Sequence, residues 1–109
     1  MSDPRIPVVF GARGAAGAED GLLLEGRGTD GPGLVWFSLP KAAHVLGCAC
    51  CPPRNAAGQA LGRLFLARAR GESVFFRRVV AVVTSEAGRA AVLAALEGDP
   101  LASAAFRGE

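Results

Sequence analysis

Tyrosine is absent from this chain, and lysine, histidine, tryptophan and methionine occur once each. No run approaches the roughly 18 to 20 continuous apolar residues of a membrane-spanning helix. The N-terminus, MSDPRIPVVF, lacks the basic region, apolar stretch and small-residue cleavage site of a secretory signal. The expectation is a cytoplasmic protein with no membrane partner. With His44 as the sole histidine, Ser85 has no catalytic partner, and GESVF at 71–75 lacks the second glycine of a nucleophile elbow. Cysteine is scarce too: three residues, all within 48–51, an odd and clustered set that excludes a disulfide framework and fits a reducing compartment.

What is abundant is small. Gly and Ala supply 36 of 109 residues (15 and 21), which blurs apolar periodicity because alanine suits core and surface alike. The mass of 11.1 kDa fits one domain, 1–109, with a modest core. Half the residues are apolar and a fifth charged, within the globular range. The net charge of +2 is too mild for a nucleic-acid footprint. Arg68, Arg70, Arg77 and Arg78 gather near a predicted helix end, where cations are ordinary, with only phenylalanine beside them to stack on a base. No nucleic-acid partner is expected.

Strands are predicted at 5–10 (RIPVVF), 34–39 (LVWFSL) and 78–84 (RVVAVVT), the last a continuous β-branched run typical of a strand covered on both faces. Between the first two lies a flexible Gly/Ala-rich segment, about 11–33, in which LLLE at 22–25 is the one candidate for a strand or helical turn. Its acids Glu19, Asp20 and Glu25 read as solvated charge. Helical spacing marks 56–69, capped by Asn55 and stopped by Gly71, and 86–97, followed by a C-cap glycine at Gly98. Asp99 and Pro100 open a last short helix, 100–106, anchored by Leu101 and Phe106. These elements predict a small α/β fold: a mainly parallel sheet of about three strands with two main helices and a short C-terminal one. Two helices protect such a sheet poorly, so an uncovered edge or face for a partner or a second copy is expected.

The chemistry concentrates in GCACC at 47–51. Clustered thiolates select Zn(II) or Cu(I) over hard cations. Cys48, Cys50 and Cys51 make three-quarters of a tetrahedral set; the fourth ligand is water, a partner's side chain or His44, four residues upstream of Cys48. The C-x-C-C spacing is not that of a thioredoxin-type pair. Inert burial of the three cysteines, and packing of His44 beside Ala42, Ala43 and Val45, are the alternatives.

GCACC followed by FFRRVVAVVTSEAGRAAVLAAL resembles the CobW and UreG type of metal-trafficking P-loop GTPases, in which a G-C-x-C-C metal segment precedes a helix, a buried strand and a switch element. Phe76, Arg78, Val79 and Val80 match the family's F-D-R-V-V-I-E, and Ala90, Val92, Leu93, Leu96, Asp99 and Pro100 continue the match to its D-P. IPVVFGARGAAGAEDGLL is similar to the family's first strand and phosphate loop, with Gly11 and Gly14 on two of the glycines. There Gly17 and Ala18 occupy the places of the lysine and hydroxyl that a phosphate loop requires; Arg13 is the nearest base, and Lys41 lies far downstream. Val82 and Ser85 replace the second switch's glutamate and glycine, and no N-K-x-D occurs. The resemblance implies a truncated, degenerate relative, not an enzyme. Cys48, Cys50 and Cys51 would be its zinc ligands, no nucleotide would bind, and a metal-recipient protein would be its partner. The alternative is a non-catalytic interaction module or vestigial fragment with structural cysteines.

Overall fold

A computed structural model describes residues 4–39, 55–73 and 75–108 of the chain. In chain order these form β1 (Ile6–Phe10), a 3-10 turn (Arg13–Ala15), β2 (Gly21–Glu25), β3 (Leu34–Phe37), α1 (Ala56–Ala69), β4 (Val79–Val82), α2 (Glu86–Gly98), α3 (Pro100–Ala105) and β5 (Phe106–Gly108). The sheet order is β3-β2-β4-β1-β5 and every pairing is parallel. The α/β class and the parallel sheet agree with the expectation, but the sheet has five strands rather than about three. The two additional strands are β2, inside the glycine-rich stretch, and β5, whose Phe106 the sequence assigns to the end of a helix. Phe106 instead pairs with Ile6 on the free side of β1, with its ring buried.

Local chemistry sets the helix ends. Asn55 Oδ1 accepts from the amides of Ala57 (2.7 Å) and Gly58 (3.2 Å), while its Nδ2 donates to the Ala91 carbonyl at 2.9 Å, tying the start of α1 to α2. At the other end, Gly71 adopts φ +77° and its amide donates to the Arg68 carbonyl, while the Glu72 amide donates to that of Ala67. This paired closure needs a left-handed residue, so glycine stops the helix as the sequence predicts. Gly98, by contrast, is the last helical residue of α2 and not a left-handed cap. Asp99, only 7% exposed, follows in extended conformation and accepts from the amides of Leu101 and Ala102, both at 3.0 Å, to start α3. A Cβ at Gly58 would overlap the Asp99 carboxylate, so this glycine sets the approach of α1 to α3.

All three helices pack on one face of the sheet, as right-handed crossovers from β3 to β4 and from β4 to β5 require. Ile6, Val8, Leu23, Val35, Phe37, Val79, Ala81 and Phe106 point to that face and meet Leu61, Leu64, Val92 and Ala102. By the alternation of the pleat, Val9, Leu22, Leu24, Leu34, Trp36, Val80 and Val82 occupy the other face. Leu24 and Val80 are buried there and the other five half-buried. Only the 3-10 turn and the β2–β3 connection lie over this second face among the described residues. A Cβ on Gly11 would meet Val80 Cγ1 at 3.7 Å, and the Trp36 ring lies against the backbone of Gly28.

The outer edge of β3 is closed by its own chain. The Leu34 amide and carbonyl both bond to Gly31, the Trp36 amide donates to Asp30 Oδ1 at 2.9 Å, and the Trp36 carbonyl accepts from Arg63 Nη2 at 2.9 Å. Nothing on that strand's edge is left to recruit another strand.

Candidate functional site

In an open parallel sheet, ligands sit beyond the carboxyl ends of the strands. Two structural features and the described flanks of a third lie there in this fold. The first follows β1, in the stretch with a phosphate-loop likeness. The Gly11 amide continues the ladder to the Ala81 carbonyl at 3.1 Å, and the chain then makes the 3-10 turn. The Ala15 amide donates to the Ala12 carbonyl (2.9 Å), that of Ala16 to Arg13 (3.1 Å), and that of Gly17 to Asp20 Oδ2 (2.9 Å). Three successive amides are thus committed to local acceptors, and the turn leads into β2 instead of a long helix. The chain then returns to the amino end of the sheet, where Asp20 Oδ2 also meets Arg78 Nη2 at 2.5 Å; that bond first, then the one from Gly17, holds the Asp20 carboxyl below its ordinary pKa.

The second feature is Glu25, the last residue of β2. Its Oε1 accepts from the amides of Thr84 (2.6 Å) and Ser85 (3.1 Å), and its Oε2 from the Ser85 hydroxyl (2.7 Å). Ser85 Oγ in turn accepts from the Gly88 amide at 3.0 Å. The carboxylate therefore occupies the positive end of α2, where an anion is stabilised by unpaired amides and the aligned peptide dipoles. Burial pushes the Glu25 carboxyl upward, but the hydrogen bonds from Ser85 and Thr84 outweigh it and leave the pKa lowered. Only glycine fits at position 88, since a Cβ would overlap this carboxylate. The sequence reading of Glu25 and Asp20 as solvated charge is corrected here: both hold distant segments together. Nothing in the sequence links Glu25 to residues 59 and 60 positions downstream; only the β2–β4 pairing makes them neighbours.

The third feature is the connection from β3 to α1. Its described flanks are Leu39, packed against the core, and the Asn55 cap. The candidate metal ligands His44, Cys48, Cys50 and Cys51 belong to this connection and lie outside the described residues, as does Lys41. Among the described residues, no group of three His, Cys, Asp or Glu side chains is arranged to hold a metal ion, and no helix is long and apolar enough to cross a membrane.

Two of the arginines that cluster in sequence, Arg78 and Arg68, have separate partners. Arg78 pairs with Asp20, while Arg68 donates Nε to the Phe76 carbonyl at 2.7 Å and lies 3.7 Å over the ring of Phe75, itself 67% exposed. Arg89 lies 4.2 Å over Phe10, fastening α2 to the end of β1. No known family, no curated protein and no solved structure matches the chain.

Proposed function

We propose that this protein binds a thiophilic metal ion, Zn(II) foremost, through Cys48, Cys50 and Cys51, and does so without hydrolysing nucleotide. The observation that carries the reading is three thiols within four residues, in a connection whose two described flanks, Leu39 and Asn55, sit at the carboxyl end of a parallel sheet. The order of elements after the cysteines supports it. α1, the buried β4, α2 and the Asp99–Pro100 step follow in the succession that the likeness to CobW-type proteins implies. Three thiolates leave a fourth position for His44, water or a recipient's ligand, and such a site passes its ion on by ligand exchange.

The test is metal content. Protein purified under reducing, chelator-free conditions should carry zinc stoichiometrically, or take it up on titration, and the C48S/C50S/C51S variant should lose it. A folded protein that ignores Zn(II) overturns the proposal. A second reading, a non-catalytic interaction module, draws on the apolar sheet face without helices, because wholly parallel sheets are ordinarily covered on both sides. It gains ground if the metal-indifferent protein proves dimeric in sedimentation.

A further inference from the structure

At the amino end of the sheet, a hollow of about 220 Å³ opens between the start of β1, the last turn of α1 and the end of α3. Ile6, Phe65, Ala104 and Ala105 give it apolar walls, and the side chains of Arg5 and Arg68 supply its polar groups, with no acidic residue among the described residues of the lining. We propose that this hollow binds a small organic carboxylate, its charge on Arg68 and its apolar body against Phe65 and the two alanines.

Arg68 is held for the task. Its Nε donates to the Phe76 carbonyl, and the guanidinium lies flanked by the rings of Phe75 and Phe76, 3.7 and 5.3 Å from their centroids. Its plane is therefore fixed, and its two Nη groups have no partner among the described residues. Arg5, fastened by Nη1 to the Ser103 carbonyl at 3.2 Å, forms the facing wall. A half-buried guanidinium without a carboxylate is costly, and its environment reflects that: burial, then the nearby charge of Arg77, lowers the Arg68 pKa. The carboxyl ends of α1 and α3 also face this region. Each contributes at most about half a negative charge, less than the full charge of Arg68 facing the nearer of them.

The size of the hollow selects the ligand. It falls below the roughly 300 Å³ at which sites for drug-sized molecules begin, so the body is that of a benzoate or a short-chain acid. A bare inorganic anion would satisfy the Nη donors and leave the apolar walls unfilled. A neutral or cationic molecule of the same shape would leave the guanidinium unpaired.

The probe is benzoate, titrated into the full chain while the methyl resonances of Ile6, Ala104 and Ala105 are followed by NMR, with inorganic phosphate and benzylamine as comparison ligands. Benzoate should shift all three saturably, and phosphate and benzylamine should not. R68Q should weaken benzoate binding at least tenfold, while R70Q, beside it in sequence but outside the lining, should not. Should R68Q fail to fold, A104L decides, since residue 104 is exposed and a leucine there fills the hollow without disturbing the core. Unchanged affinity in R68Q or A104L overturns the proposal. Equal shifts from phosphate also overturn it, and mean an adventitious ion only.

Discussion

Arg63 on α1 and Asp30 in the β2–β3 connection meet at 3.0 Å, and each also holds one backbone group of Trp36, so one ion pair seals the edge of β3. Exposed pairs of this kind contribute about 0 to 1 kcal/mol to stability. Their effect here is on association, since they occupy the groups another strand would use.

Removing either partner is therefore expected to leave thermal unfolding almost unchanged and to alter solution behaviour. R63A and D30A should form concentration-dependent oligomers in sedimentation velocity where the wild type does not. Identical profiles would show that the pair protects nothing.

Glu25 and Gly88 form a second test. Alanine in a helix interior is ordinarily favoured over glycine by about 1 kcal/mol, yet G88A should destabilise because its Cβ overlaps the Glu25 carboxylate. E25A alone should cost about 1 to 2 kcal/mol, as loss of a charged helix cap does. In the E25A background, G88A should turn neutral or stabilising. Urea unfolding of the four proteins measures this coupling, and simple additivity would show that the carboxylate is not wedged against residue 88 in solution.

The same carboxylate sets an acid dependence. Glu25 and Asp20 both have folded pKa values below their ordinary ones, so the stability they contribute is complete above the unfolded values and is lost as pH falls through the folded values. Wild-type stability should hold from neutrality to about pH 4.5 and decline below it. E25Q combined with D20N should be less stable at pH 7 and flatter between pH 4.5 and 3. An unchanged slope would assign the acid sensitivity to other groups.

Phe106 is fully buried in the last, three-residue strand, where its ring meets Phe65 edge-on at 6.1 Å. Truncation to alanine should cost about 3 to 5 kcal/mol, a large share of the roughly 5 to 15 kcal/mol typical of a domain. If F106A unfolds at the wild-type urea midpoint, β5 is not part of the cooperative unit.

Nucleotide is expected not to bind. The amides of Ala15, Ala16 and Gly17 are engaged locally, and the stretch has no lysine or hydroxyl for phosphate and Mg²⁺. Calorimetry with a non-hydrolysable GTP analogue and Mg²⁺ should be silent, and micromolar affinity would reverse the expectation.

The helices and three of the strands were legible in the sequence because their signals are local. Asn55 and Asp99 cap where they stand, Gly71 stops α1, and the β-branched run of β4 needs no partner to be recognised; the Ser85 cap of α2 is added by the structure. β2 was obscured because LLLE is buried toward both faces, so its apolar residues do not alternate, and eight glycines from 11 to 33 surround it. β5 was invisible for another reason. Phe106 follows α3 without a break, and only the open side of β1 makes it a strand. At the candidate site, the thiols lie outside the described residues and are proposed from their spacing alone, whereas Glu25 acquires its role from a contact across the sheet that no local pattern encodes.

The indole of Trp36 has a practical consequence. With no tyrosine in the chain, ultraviolet emission comes from this one side chain, which rests on the backbone of Gly28 and belongs to the strand that enters the cysteine-bearing connection. Its backbone is the one clasped by Arg63 and Asp30. A single intrinsic fluorophore therefore stands within three residues of Leu39, the last described residue before the thiols. Loosening of the β3 edge and global unfolding can each be followed on the native chain without a dye, the first as a change in quenching and the second as a red shift when the ring leaves the glycines for water.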